Sequence, residues 1–591
     1  MAETPDYRKR KRTSHACDAC RHRKVRCDGR QPCTTCCNTG EDCSYGTEAI
    51  PKSKSDLILD VALRSETLLR ELSAQLHTVI RSNTNASSPG AIISPRTIDS
   101  AQNADSHISN ATLSAFHAST TESILAWPHF DDFVALRQAH SFSVFHLEST
   151  RAPPGRPSSA VPMHPFATKY EVDRLVHSFE QTVNFWYPTM SSAMTRDLAS
   201  RVLVGSLDES MTSCLALLVM ALGCASELVC SYAGHEAPAA DELESRRQRR
   251  LMGELYFDCA FRKIYLAQAE CTAEAVQCLF FTALFFAFQQ RPLQAWSFIS
   301  STAAKCRLLL SYPDSEGLPD QQECLRRIFW SCYILESDYL AELSALPQTG
   351  IADIESSVPL PGEYHTHASQ ADEEQSSLYF LACISMRRLL NRVHNLLYAR
   401  DTGVGFDNQQ FPSVVAELGH QLEEWKELLP PPFQFAVDLS PARSIPGAFL
   451  RQRYLTCKSV IYRPYLTWAL SNTASAPAVN HFPAVVYEGC QSCLDACWLH
   501  AQNLGSFPHT IMIDTWICSL SMASVMLITL AASRLTALRG CMSPKVAEMG
   551  PHLTQLLTQW MHIPGHGVSP SVLQSVKLIG DVSVSLKMIL R

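Results

Sequence analysis

From residue 166 onward, apolar residues recur in runs of helical length separated by short breaks that contain Pro or Gly. Strand-like alternation of apolar and polar positions is scarce there, so the stretch predicts an all-α body. One run, "TWICSLSMASVMLITLAAS" (515–533), has no charged residue over a length that suffices to cross a membrane. It carries six Ser or Thr and sits inside a long helical region, and it predicts a buried core helix with no membrane partner.

A different period precedes the body. Ile58, Ala62, Ser65, Leu69, Leu72, Leu76 and Val79 alternate at spacings of four and three, a heptad seam that Ala62 and Ser65 dilute in its first half. Two structures fit: a parallel coiled coil that makes a homodimer along Ile58, Leu69, Leu72, Leu76 and Val79, or an amphipathic helix packed on the body. Residues 47–80 therefore read as a linker and a short coiled coil. Residues 81–120 hold 17 Ser, Thr or Asn and few large apolar groups, which predicts disorder. "TESILAWPHFDDF" (121–133) then mixes Trp127, Phe130 and Phe133 with Glu122, Asp131 and Asp132. It reads as a loop docked on the domain or, alternatively, as an activation segment for transcription coactivators. "APPGRPSSAVPMHPF" marks a boundary near 166. The expected divisions are 1–46, 47–80, a mostly disordered 81–165, and a helical domain over 166–591.

Charge is distributed as unevenly as hydropathy. The chain carries a formal net charge of −7, but residues 1–46 hold 10 Lys or Arg against 6 Asp or Glu, a net of +4. A short basic head on an acidic body suggests an arm that binds a polyanion. The opening "MAETPDYRKRKRTSH" has no apolar run behind its charges, so no secretory signal is expected and the 23 cysteines should be reduced. Those in apolar segments, such as Cys214, Cys278 and Cys332, read as small hydrophobes.

Seven cysteines crowd between positions 17 and 43, and their spacing changes the picture. Cys17, Cys20 and Cys27 form C-x2-C-x6-C, and Cys33, Cys36 and Cys43 repeat it. Thiolates suit zinc, which takes four ligands in a tetrahedron. Six thiolates around one ion would strand two, whereas two bridging thiolates let six ligands supply eight positions around two ions. The stretch "ACDACRHRKVRCDGRQPCTTCCNTGEDCSYG" resembles the fungal six-cysteine zinc binuclear cluster DNA-binding domain. The resemblance implies a small metal-stabilised domain, two short helices around two zinc ions. Cys17, Cys20, Cys27 and Cys33 would hold one ion and Cys33, Cys36, Cys43 and Cys17 the other. Cys37 has no place in that pattern and reads as a spare thiol.

Between the thiols stand Arg21, Arg23, Lys24 and Arg26, with "RKRKR" (Arg8, Lys9, Arg10, Lys11, Arg12) upstream. Two Zn²⁺ and six thiolates sum to −2, and these cations exceed what that charge needs, so several of them face outward, toward double-stranded DNA. In the family, the pair at the positions of Arg23 and Lys24 lies at the base edges of a CGG triplet. Arg21, Arg26 and Arg30 read as phosphate contacts. "RKRKR" reads as a nuclear import signal, a phosphate-binding arm or a solvated charge run.

The body carries a second resemblance. "ECLRRIFWSCYILESDYLAELSALPQTGI…VPLP" (323–361) is similar to the signature of the fungal-specific transcription factor regulatory domain. "RPLQAWSFISSTAAKCRLLL" (291–310), "QLEEWKELLP" (421–430) and "RYLTCKSVIYRPYL" (453–466) look like further blocks of it. Arg326 and Arg327 with Glu336 read as an internal ion-pair network. An enzyme is excluded by pattern: His365 and His367 sit in a polar loop with no second constellation, and no phosphate-cradling Gly loop, nucleophile elbow or H-E-x-x-H is present.

The resulting expectation is a nuclear, sequence-specific regulator of RNA polymerase II transcription, reading CGG half-sites as a homodimer and activating a metabolic or secondary-metabolite gene set. One alternative is a ligand-sensing regulator or repressor whose helical body binds a small-molecule effector. Another is a zinc-stabilised protein-interaction module without a DNA role.

Overall fold

Helices of the body begin where a side chain can cap their first N–H groups. Ser210 accepts from Ser213 N–H at the start of Met211–Cys230, and Thr272 accepts from Ala275 N–H at the start of Ala273–Phe288. Thr168 and Glu171 form a reciprocal capping box at Lys169–Gln181. The computed structural model describes residues 17, 19–20, 23, 25, 27–28, 30, 32–40, 42–43, 113, 117–140, 143–152, 167–232, 240–312, 318–343, 346–364, 371–399, 403, 409–475, 482–505, 507–565 and 567–590. The basic arm 8–12, the heptad seam 58–79, the polar stretch 81–112 and His365 with His367 lie outside them. The chain divides into two units, Met1–Gly90 and Ala91–Arg591.

Among the described residues the second unit is helical, with no strand and one isolated bridge between His117 and Ala399. Its core is built on helices apolar on nearly every face. Met211–Cys230 and Ala273–Phe288 bury most of their side chains. Phe257 stacks on Phe285 with ring centroids 4.1 Å apart and meets Phe286 edge-on at 5.3 Å. The charge-free run is the helix Thr515–Ser533, entered through a π turn at Thr510–Asp514 that its apolar composition gave no sign of. This helix and Met211–Cys230 are long and apolar enough to cross a membrane, and both are largely buried within the protein. Gly489 lets Ala484–Asn503 lie close against Ile445–Ser475: a Cβ there would come 2.4 Å from the Tyr465 ring.

Two sequence-based expectations are corrected. Residues 117–140 and 143–152 do not belong to a disordered linker, because they contain short helices held to the body by polar contacts. Thr121 donates its hydroxyl toward Glu342 Oε2 (3.0 Å) and Leu520 O (3.1 Å), and the Glu148 carboxylate accepts from the hydroxyls of Ser569 and Ser571 at 2.6 Å each. Arg151 donates to Gln290 O and Gly567 O, both at 2.6 Å. The acidic-aromatic stretch is thereby a docked segment, with Ile124, Leu125 and Phe130 buried. Trp127 and Phe133 are half-buried.

The second correction concerns Glu336. Arg327 donates from Nε to Glu323 Oε1 at 2.8 Å and from Nη1 to Pro188 O at 3.0 Å, and Arg326 pairs with the same Glu323. Glu336 instead accepts from the N–H of Thr349 at 2.7 Å and its hydroxyl at 2.6 Å. Helix geometry explains this. Glu323 sits three and four residues before the arginines, on their face, whereas Glu336 lies nine residues beyond Arg327, about 14 Å along the axis.

Candidate metal centre and DNA interface

The head is built on its cysteines. Ala19 and Cys20 lie in a helical turn in which Arg23 N–H donates to Ala19 O (3.2 Å) and Val25 N–H to Cys20 O (3.0 Å). Thirteen residues after Cys20, Cys33 caps the helix Thr34–Thr39, its Sγ accepting from Cys36 N–H at 3.3 Å. Gly40 ends that helix at φ 68°, a left-handed conformation that glycine adopts without strain. Asp28 ties the halves together. Its carboxylate accepts from Thr34 N–H at 3.2 Å, from Arg30 N–H at 3.4 Å and from the Thr34 hydroxyl. These donors, the Thr34 hydroxyl foremost, hold its carboxyl below the usual aspartate range.

The two halves repeat the same hydrogen bonds. Cys17 N–H points at Cys27 Sγ (3.5 Å), as Cys33 N–H points at Cys43 Sγ (3.2 Å). Cys20 N–H points at Cys17 Sγ (3.4 Å), as Cys36 N–H points at Cys33 Sγ (3.3 Å). Sequence duplication has become duplicated local geometry.

Four sulfurs converge at the centre. Cys17 Sγ lies 3.7 Å from Cys33 Sγ and 3.6 Å from Cys36 Sγ, and Cys20 Sγ lies 3.6 Å from Cys33 Sγ and 3.9 Å from Cys36 Sγ. All four residues are buried. A tetrahedron with Zn–S bonds of 2.3 Å has edges of roughly 3.8 Å, so this sulfur set fits zinc without rearrangement. Cys27 and Cys43 stand at the flanks, half-buried, with Cys27 Sγ near Cys33 Sγ. The electrostatics single out Cys17 and Cys33. For Cys33 the Cys36 N–H leads in drawing the thiol pKa down; for Cys17 burial opposes, and the Cys20 N–H with neighbouring thiols outweighs it. Burial pushes Cys20 up to about 12. Cys37 is exposed on the Thr34–Thr39 helix, apart from this set.

Of the basic residues, Arg23 and Arg30 are described and both are exposed. Arg23 Nη2 donates to Thr39 Oγ1 at 3.3 Å, which links the first helical turn to the second helix. Arg30 lies 4.0 Å from Asp28, an exposed pair of little energetic weight. Arg21, Lys24, Arg26 and the arm Arg8–Arg12 lie outside the described residues. Asp28, Thr34 and Thr39 were missed as candidates in the sequence, since Asp and Thr in a short polar loop carry no distinguishing signal.

Residues 15–53 match the fungal Zn(2)-Cys(6) binuclear cluster domain, and residues 208–427 match the fungal specific transcription factor domain. The chain thus carries both a fungal zinc-cluster domain and a fungal transcription factor domain. The first match implies that the head binds zinc and DNA, and the two together imply a nuclear location. The second match ends at 427, short of the 453–466 block. A likeness over nearly the whole length is nevertheless found: ecdB of Aspergillus rugulosus, named as a transcription factor, is 25% identical over 570 residues, 91% of this chain and 93% of that protein. The citrinin biosynthesis transcriptional activator mrl3 of Monascus ruber is 40% identical over 68 residues, 11% of this chain and 13% of its own. The activator of stress genes protein 1 of Candida albicans is 39% identical over 75 residues, 13% and 8% of the two chains. These names describe regulators of transcription. Together with the two domain matches they indicate a transcription factor and not an enzyme.

Proposed function

We propose that the head holds two zinc ions, with Cys17, Cys20, Cys27 and Cys33 around one and Cys33, Cys36, Cys43 and Cys17 around the other. The observation that carries this reading is the repeated hydrogen-bond pattern of the two C-x2-C-x6-C halves, with Cys17 and Cys33 3.7 Å apart at its centre. That separation suits an edge shared by two tetrahedra, with Cys17 and Cys33 as the bridging thiolates. The ions supply rigidity; the side chains do the reading. Arg23 and Lys24 meet the guanines of a CGG half-site in the major groove, where N7 and O6 accept from a cation. Arg21, Arg26, Arg30 and the arm Arg8–Arg12 contact phosphates and set the salt dependence. Two chains pair along Ile58, Leu69, Leu72, Leu76 and Val79 to place two heads over two half-sites. The factor works in the nucleus as an activator of a metabolic or secondary-metabolite gene set, a reading supported by the name of the Monascus ruber relative.

Selection of bound duplexes from a random library with the full chain tests this. Enrichment of paired CGG triplets at one fixed spacing is expected. Enrichment of an unrelated sequence, or binding to all duplexes alike, refutes it.

A further inference from the structure

The helical body contains a cavity of about 130 Å³ that DNA binding does not use. One wall is a stripe of the Ile445–Ser475 helix: Gln452, Thr456, Ser459 and Arg463 recur at helical spacing and all face it. The opposite walls come from Pro319–Glu342, Ala371–Leu397, Ala484–Asn503 and Thr515–Ser533, with the π turn Thr510–Asp514 and Ser119 closing it.

Polar groups on this cavity lack partners. Both amide atoms of Gln452 are buried and make no hydrogen bond, and the residue is 6% exposed. Arg387, 2% exposed, lies 3.0 Å from Asp338, yet neither its Nε nor its Nη1 makes a hydrogen bond. Arg463 donates from Nη1 to Ser119 O at 2.9 Å, but its Nε is unpartnered, as are His394 Nδ1 and Asp514 Oδ1. An unmade buried hydrogen bond is costly, and native proteins keep such groups few, so five side chains with bare atoms on one cavity point to an occupant.

The occupant's chemistry follows from the lining. The bare groups are mainly donors: the Nε–H of Arg387, the Nε–H of Arg463 and the amide of Gln452. Three arginines, Arg387, Arg453 and Arg463, face two aspartates, of which Asp338 is taken up by Arg453 at 2.7 and 2.8 Å and Asp514 lies 3.0 Å from His509. Glu342 also lines the cavity and is engaged by Thr121. Leu390, Val460, Ile517 and Ile528 add apolar surface to the same lining. An apolar cavity of about 150 Å³ holds benzene, so a compact ligand little larger than benzene fits.

We propose that this cavity binds a small organic monocarboxylate with a compact apolar body, its carboxylate accepting from Arg387 and Gln452. The carboxylate completes donors left bare, and the body covers Leu390, Val460 and Ile517. The site makes the body an effector-responsive unit, and it stands independently of how the head reads DNA.

The test uses the full chain and four probes: benzoate, hexanoate, benzamide and hexanamide, measured by thermal denaturation and ligand-observed NMR. The two acids should raise the melting midpoint saturably, on the order of 3 °C at a hundredfold excess over the dissociation constant, and bind at least tenfold tighter than their amides. Gln452→Met should raise the melting midpoint of the ligand-free protein, because it removes an unpartnered buried amide, and weaken the acids by about tenfold. Val460→Phe, which fills the cavity, should abolish their effect. A cavity that holds only water gives no saturable shift with any probe, and that result overturns the proposal. So does equal binding of acids and amides, or full binding by Val460→Phe.

Discussion

Removal of zinc should unfold the head and leave the body intact. Among the described residues of the head, the buried cluster consists of Cys17, Cys20, Cys33 and Cys36, with Ala19, Cys27 and Cys43 packed around it. No large apolar side chain is in that cluster. Burial of a small thiol is worth roughly 1 kcal/mol, so the four give about 4 kcal/mol. A structural zinc contributes about 10 kcal/mol or more, and it acts here on a segment whose own packing cannot offset the entropy of ordering it. Stringent chelation should therefore collapse the dispersion of the head's amide NMR signals and open residues 17–43 to protease. The melting transition of the body should stay where it was, since its core is built from other helices. Cys17→Ala should match chelation, because it removes a ligand from both proposed sites, whereas Cys27→Ala should leave a partly ordered head that holds one ion. A head that stays dispersed and protease-resistant with its zinc removed refutes the reasoning, whatever the DNA result.

Three further outcomes are expected. Lys24→Ala should cost about 1–3 kcal/mol on a CGG site and little on random duplex, while Arg12→Ala should weaken both alike and lower the salt slope by about one; titrations at several salt concentrations separate the two. Leu69→Asp with Leu72→Asp should turn a dimer into a monomer by sedimentation and abolish the preference for paired half-sites, and an unchanged dimer rules out the seam. Burial pushes the Glu342 carboxyl up to about 7 against the donors of Thr121. A carboxyl raised on folding favours the protonated form, so its contribution is fully present below the unfolded value near 4.3 and is lost as pH rises through 7. Glu342→Gln should hence flatten stability against pH over that window and stabilise the body by ~1–2 kcal/mol at pH 8; an unchanged pH profile contradicts the assignment.

Local patterns were legible in the sequence, and contacts between distant segments were not. The cysteine repeat was readable because its ligands lie within 27 residues and the chemistry fixes the spacing. The Thr515–Ser533 helix was readable, boundaries included, because a charge-free run with few strand signals has one soluble solution, burial. Residues 117–140 and 143–152 escaped because their helices are five or six residues long and their anchors, such as Thr121 on Ser524 and Glu148 on Ser571, join positions some four hundred apart. Glu323 was overlooked for Glu336 because the pairing was taken from proximity in a motif and not from helical phase. The cavity had no local signature: its lining comes from separate elements, and an unpartnered amide such as that of Gln452 looks in sequence like any surface Gln.

The central claim is that six cysteines form one binuclear centre, and the zinc count tests it most directly. The four central sulfurs alone suit a single tetrahedral ion, so the alternative is a mononuclear site of Cys17, Cys20, Cys33 and Cys36 with Cys27 and Cys43 idle. Native mass spectrometry of the full chain, after loosely held metal is dialysed away, should show two zinc ions per chain. Cys27→Ser and Cys43→Ser should each reduce that to one. A single zinc in the unaltered chain, retained undiminished by both variants, contradicts the account.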